Sequence, residues 1–248
     1  MEKIILITGG GRGIGAACAI EAAQRRYRVC ISYRSDDAAA AGVVDAITTG
    51  GGAAFAIKAD VADEAQVEAM FRAIDGRYGR LDALVNNAGV LSQQMRVDQM
   101  DAARIQRIMA TNIVGSMLCA REAVRRMSTR HGGAGGGIVN VSSRAGVLGA
   151  AGEYVDYAAS KAAMDALTIG LSKEVALEGI RVNGVRPGLI HTDMHASGGE
   201  PGRVARLAAS VPMGRGGQPA EVAQAVLWLL SEAASYTTGS FIDVSGGR

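Results

Sequence analysis

IILITGGGRGIG, residues 4–15, decides the fold. Four consecutive apolar residues, Ile4-Ile5-Leu6-Ile7, run into Thr8 and a set of glycines. Continuous rather than alternating hydrophobicity marks a strand with helices on both of its faces. Glycine at 9, 11, 13 and 15 lets the backbone turn sharply and approach a ligand with no side chain in the way. The helical pattern that opens at Gly13 and Ile14 aims free N–H groups and the positive end of its dipole at the same turn, which suits a pyrophosphate. Thr8, Gly9, Gly11, Arg12, Gly13, Ile14 and Gly15 are therefore candidate cofactor contacts. A glycine cluster alone is a weak signal, because tight turns use glycine too. Its placement between a strand and a helix carries the inference to a dinucleotide.

The same alternation continues outward. Further apolar runs at 28–33, 53–58, 81–86, 137–142, 181–186 and 240–244 predict strands. Helical patterns near 13–26, 37–49, 63–78, 98–129, 155–178 and 219–231 separate them. Strand–helix alternation with parallel crossovers predicts an α/β, doubly wound sheet whose strand C-termini line one ligand-binding edge. No repeat and no second domain is visible in the 248 residues, a length that suits one large domain. A segment near 190–215, containing HASGGEPGR at 195–203, reads either as a substrate loop or as a mobile surface loop.

Composition narrows the function classes. With 26 basic against 24 acidic residues the net charge is +2, which gives no reason to invoke nucleic acid or an anionic membrane. No apolar run is long enough for a membrane span, and the first strand pattern leaves no room for a signal peptide. Cys18, Cys30 and Cys119 lie far apart, with neither metal nor disulfide spacing, and read as buried reduced thiols of a cytoplasmic protein.

The end of the second strand, Val29-Cys30-Ile31-Ser32-Tyr33-Arg34, bears on the choice of cofactor. A carboxylate there would hold a free ribose 2′-OH and repel a 2′-phosphate. Tyr33 occupies the expected acidic position, Arg34 follows, and Arg12 approaches from the glycine turn. Guanidinium forks suit phosphate, so NADP(H) is favoured over NAD(H). Asp36 and Asp37 stand close enough to argue the other way.

YVDYAASK, residues 154–161, carries the chemistry. Tyr157 and Lys161 are four apart and share a helix face, whereas Tyr154 is seven from the lysine. With 6 tyrosines and 4 lysines in the chain, this spacing arises about 0.1 times by chance. A tyrosine ionises near pH ~10, too high for a base at neutrality; a nearby ammonium stabilises the phenolate. The phenol then donates a proton in carbonyl reduction and accepts one in alcohol oxidation. Ser143, just past the fifth strand, is placed to donate to a substrate oxygen, while Ser142 still reads as strand.

Together these motifs resemble the short-chain dehydrogenase/reductase family over essentially the whole chain. The matching pieces are TGGGRGIG at 8–15, Asp60-Val61, NNAG at 86–89, Asn112 in ATNIVGS, Ser143, Tyr157 with Lys161, and PGLIHT at 187–192. The resemblance implies a single Rossmann domain over 1–248 with strand order 3-2-1-4-5-6-7. It implies a catalytic set of Asn112, Ser143, Tyr157 and Lys161, in which Lys161 also holds the nicotinamide ribose and Asn112 keeps a water in a proton relay. It places Asp60 and Val61 by the adenine and Asn87, Ala88 and Gly89 near the ribose. Pro187, Gly188, Ile190 and Thr192 fall at the carboxamide and phosphates. A homotetramer or homodimer is implied too, built on the helices at 98–129 and 155–178. Similarity leans toward 3-oxoacyl-carrier-protein reductases and glucose-dehydrogenase-like members, with a small carbonyl or alcohol as substrate. A cofactor sensor that kept the fold without turnover is the competing class, and the complete Tyr157/Lys161 pair argues against it.

Four readings stay open at this stage. Arg121, Arg125, Arg126 and Arg130 form either a docking patch for an acidic carrier protein or a solvated or subunit-facing edge. Glu153 and Asp156, in the 14-residue gap between Ser143 and Tyr157, either meet polar substrate groups or face solvent. His191 and His195 read as solvated or pocket-lining. Tyr154 reads as a pocket or packing residue.

Overall fold

Seven parallel strands form one sheet in the order β3-β2-β1-β4-β5-β6-β7. They are β1 Ile4–Ile7, β2 Arg28–Tyr33, β3 Ala53–Lys58, β4 Ala83–Asn86, β5 Gly136–Val141, β6 Ile180–Pro187 and β7 Phe241–Val244. The computed structural model describes residues 2–248. Every residue of β1 and β4 is buried, as the apolar runs Ile4–Ile7 and 83–85 require of strands covered on both faces.

Helices cover both faces. α1 Gly13–Gln24, α2 Asp37–Thr49 and, from the far end of the chain, α10 Pro219–Leu230 pack over Ile5, Ile7, Val29, Ile31 and Val85. On the other face, α3 Glu64–Tyr78, α5 Gly115–Met127 and α7 Val155–Val175 cover Leu6, Cys30, Leu84, Ile138 and Val182. Helix starts follow local chemistry. Asp36 and Asp63 accept from the Ala39 and Gln66 amides, at 2.9 and 3.1 Å, and so cap α2 and α3. The three thiols, Cys18, Cys30 and Cys119, are buried and unbridged.

The single helix expected over 98–129 is not α-helical throughout. It resolves into α4 Ala102–Met109, a π-helical turn Ala110–Val114, and α5. Two tertiary demands explain the extra residue. Asn112 turns inward to bond the main chain of Val90, and Gly115 lies so close to Val61 that a Cβ would meet it at 2.8 Å. Neither contact shows in the helical periodicity.

The strand order reverses between β1 and β4, so a crevice opens beyond their C-terminal ends. A buried polar chain sets α7 against the sheet there. Asn86 donates to Asn140 at 3.0 Å, and Asn140 donates to the Thr168 hydroxyl at 2.9 Å. Short helices α6 Ala145–Leu148, α8 Met194–Ser197 and α9 Arg203–Leu207 finish the rim of the crevice. No helix is long and apolar enough to cross a membrane among the described residues.

Candidate active site

The glycine turn is built for close approach. A Cβ on Gly15 would lie 2.3 Å from the Gly9 carbonyl oxygen and 2.6 Å from Asn87 Nδ2. Asn87 holds the turn by donating to the carbonyls of Thr8 and Gly9, at 2.9 and 3.1 Å. The Thr8 hydroxyl accepts from the amides of Asn87 and Ala88, at 3.0 Å each. So the loop after β4 is tied to the turn after β1. Thr192 closes the same spot, 3.3 Å from where a Gly13 Cβ would stand, and Gly13 adopts a positive φ of 55°. These bare backbone surfaces at a helix N-terminus fit a dinucleotide pyrophosphate.

At the end of β2, Arg34 is exposed, as is Arg12. The nearby carboxylates are occupied: Asp36 caps α2, and Asp37 accepts from Tyr33 at 2.8 Å and from Lys58. Asp60, at the end of β3, turns its carboxylate to the Ala62 amide at 3.0 Å, and Val61 is buried against Gly115.

Tyr157 and Lys161, one turn apart on α7, face one cleft together with Ser143, Ile14, Asn87 and Ile190. Pro187, Gly188 and Thr192 line it as well. The Lys161 ammonium lies 5.7 Å from the Tyr157 ring centre and donates to the Val141 carbonyl at 2.7 Å. Ser143 lines the cleft beside the phenol. Ser142 is instead buried and donates to the Lys161 carbonyl at 3.1 Å, which separates the roles of the two serines. Burial pushes the phenol up to about 12, against the lowering effect of the Ser143 hydroxyl. The same desolvation brings Lys161 down to about 8, with Asp165 pulling the other way. Among the protein's own groups, desolvation therefore outweighs the pull of the cation on the phenol.

Asn112 sits behind this pair, fully buried. Its side chain accepts from the Val90 amide at 2.7 Å and donates to the Val90 carbonyl and Ser160 hydroxyl, at 3.1 and 3.0 Å. Its oxygen and the Lys161 ammonium both border Gly89, at 3.4 and 3.7 Å from a Cβ built there. Its main-chain carbonyl accepts from Ser116 at 3.0 Å.

The 190–215 segment supplies one wall of the cleft through Ile190, Met194, His195 and Arg203. Ionic contacts hold it. Glu200 accepts from Gln94 at 2.7 Å and pairs with Arg203 and Arg206, which hold its carboxyl down at about 2. Tyr154 packs below, its hydroxyl donating to the Gly198 carbonyl at 3.2 Å. His195 lines the cleft with Nε2 on the Ile190 carbonyl, and burial lowers its pKa, whereas His191 is exposed.

One sequence expectation, for Asp156, is corrected. Asp156 neither meets substrate nor faces solvent but pairs with Arg104 at 2.7 Å, whereas Glu153 is partly exposed, lines the cleft and pairs there with Arg203. The four-arginine cluster is an ion-paired, partly exposed edge. Arg121 pairs with Glu64, Glu68 and Glu122, Arg125 with Glu122, Arg126 with Asp75 and Glu122, and Arg130 with Glu178. The site residues that sequence reasoning missed are arginines: Arg203 in the wall, Arg104 behind Asp156, and Arg144, which pairs with Asp243 at 2.6 Å. Their partners lie 50, 52 and 99 residues away, beyond any local spacing rule.

A family model described as enoyl-(acyl carrier protein) reductase matches residues 9–248. The chain is 59% identical over 245 residues to the uncharacterized oxidoreductase YgfF of Escherichia coli (strain K12), covering 99% of each chain. It is 40% identical over 247 residues to carbonyl reductase family member 4 of Danio rerio, covering 100% of this chain and 98% of the other. A solved 3-ketoacyl-(acyl-carrier-protein) reductase from Brucella melitensis, complexed with NADH, superposes with a TM-score of 0.92 at 32% identity, over 99% of this chain and 98% of that one.

Proposed function

The chain belongs to the short-chain dehydrogenase/reductase family and is an oxidoreductase; from that premise we propose that it moves a hydride between NADP(H) and a carbonyl or secondary alcohol, with Tyr157 as the general acid/base. The observation that carries this reading is one cleft lined by Ser143, Tyr157 and Lys161, in which the Lys161 ammonium lies 5.7 Å from the Tyr157 ring centre.

The cofactor's residues are Thr8, Gly9, Gly11, Arg12, Gly13, Ile14 and Gly15 at the pyrophosphate, with Asp60 and Val61 toward the adenine. Asn87, Ala88 and Gly89 lie by the ribose, and Pro187, Gly188, Ile190 and Thr192 at the carboxamide and phosphates. Held by these residues, it would supply or accept the hydride. Tyr157 holds the proton that the nascent alkoxide needs, and Ser143 orients the substrate oxygen toward it. Lys161 favours the phenolate and reaches the ribose. Asn112, buried behind Lys161 and bonded to Val90 and Ser160 through its side chain, keeps the relay water. The preference for the 2′-phosphorylated cofactor is supported by exposed Arg12 and Arg34 beside aspartates already engaged elsewhere.

NADPH oxidation against a panel of aldehydes, ketones and diones tests the reading. Tyr157→Phe lowers kcat by roughly 10²–10⁴-fold and leaves NADPH affinity unchanged. A protein that binds NADPH tightly, turns over nothing and is indifferent to this change would be a sensor instead.

Subunit association is proposed through α4, the π-helical turn, α5 and α7, where Ile105, Val114, Met117 and Ile169 are exposed apolar residues. Light scattering that reads a monomer would remove this. A cytoplasmic location accords with the three buried, unbridged thiols; recovery from a periplasmic fraction would contradict it.

A further inference from the structure

The first turn of α7 carries the phenol, yet it starts without an ordinary cap: Tyr154, at the N-cap, makes no side-chain bond to the helix amides. Asp156 takes over that function. Its carboxylate accepts from the Tyr157 amide at 2.9 Å, satisfying one of the amides that a helix start leaves unpaired. A carboxylate in the first turn also suits the helix dipole.

That carboxylate is 2% exposed, so it requires a counter-charge. Arg104, on α4, provides it. Its Nε donates to Asp156 Oδ2 at 2.7 Å and its Nη2 to Oδ1 at 3.4 Å, with the arginine side chain only 10% exposed. The same guanidinium reaches a third segment, because Nη1 donates to the Gln93 carbonyl at 2.6 Å. The next turn of that loop is tied to the start of α7 independently, through the Met95 amide on the Glu153 carbonyl at 3.0 Å. Leu91, at the beginning of the loop, lines the substrate cleft. One planar fork thus joins α4, the loop after β4, and the residue directly before Tyr157. A lysine has the charge without the fork.

We propose that Arg104 is a positioning residue for the Tyr157 phenol, acting through Asp156 and the Gln93 carbonyl. The proposal rests on the reading of Tyr157 as the acid/base. A buried pair contributes little net stability, but removing one partner leaves a charge with no compensation. Without Arg104, the Asp156 carboxylate turns toward water and releases the Tyr157 amide, and the first turn of α7 shifts together with the cleft loop. Proton and hydride transfer are steeply sensitive to such displacement, with about 10²-fold lost per 1 Å.

The test uses full-length protein and compares Arg104→Met, Arg104→Lys, Asp156→Asn, the double variant R104M/D156N, and Tyr157→Phe. Arg104→Met is expected to lower kcat by on the order of 10–100-fold, while NADPH still binds every subunit with unchanged Kd. Arg104→Lys falls between wild type and Arg104→Met. The double variant recovers part of the kcat lost in Arg104→Met, because asparagine still accepts from the Tyr157 amide and no charge is stranded. A merely structural brace gives the opposite pattern: NADPH-binding stoichiometry drops in step with kcat, and the double variant is worse than either single one. That pattern overturns the proposal, as does an Arg104→Met enzyme within about twofold of wild type when Tyr157→Phe is inactive. If Tyr157→Phe keeps full turnover, the acid/base reading fails first, and the positioning role fails with it.

Discussion

Lys161→Met should separate stability from chemistry in a pH-dependent way. The ammonium is 3% exposed, and burial lowers its pKa from 10.5 to about 8. At roughly 1.4 kcal/mol per pKa unit, the charged form costs the folded protein about 3 kcal/mol near neutrality. The folded value lies below the unfolded one. The unfolded chain therefore holds more protons between pH 8 and 10.5, and the contribution of this group to stability rises with pH across that window. Below pH 8 the penalty is present in full. Methionine carries no such penalty but strands the Val141 carbonyl, at a cost of about 1–3 kcal/mol. The variant should thus range from about equal to about 2 kcal/mol more stable than wild type at pH 7. That relative standing should fall by about 2–3 kcal/mol by pH 10. Urea unfolding at 25 °C and four pH values, read as variant minus wild type, measures this directly. The subtraction matters because burial also raises Cys18, Cys30 and Cys119 to about 12, which destabilises both proteins alike above pH 9. Turnover of the variant should be lost at every pH. A difference that stays flat from pH 7 to 10 would refute the reasoning, since it would mean that Lys161 keeps its water in the fold.

Two further outcomes test the cofactor site. Arg34→Asp should weaken NADPH binding at least tenfold more than NADH binding, measured as paired dissociation constants; equal changes would remove Arg34 from the 2′-phosphate. Gly15→Ala improves intrinsic helix propensity by about 1 kcal/mol, yet its Cβ would meet the Gly9 oxygen at 2.3 Å. It should therefore lower Tm and cofactor affinity together, and a stabilised variant with normal binding would contradict the packing described for the turn.

Much of the fold was legible because it rests on local rules. Unbroken apolar runs marked the strands to within a residue or two, and α2 begins and ends where the pattern of Asp37–Thr49 says it should. The clustering of Ser143, Tyr157, Lys161, Ile190 and Thr192 in one cleft follows from parallel crossovers, which deliver all strand ends to one edge. The helix expected over 98–129 runs without a break from 102 to 127, but with a π-helical turn at Asn112 that the periodicity does not show. What sets that turn is a bond to Val90 and a contact with Val61, both brought there by other strands.

The sequence by itself determined the order of elements, the glycine turn and the spacing of phenol and lysine, since each depends on a period of two or 3.6 residues or on the shape of one backbone turn. Tertiary structure alone decided how charges are spent. It turned Asp156 onto Arg104, paired Glu153 with Arg203 in the cleft wall, and paired the arginines of α5 with carboxylates of α3 and with Glu122 of α5 itself. It also set Tyr157 near 12 and Lys161 near 8. Ion pairing and desolvation depend on which distant groups share a few ångströms and on how much water is excluded, and neither quantity exists until the chain has closed on itself.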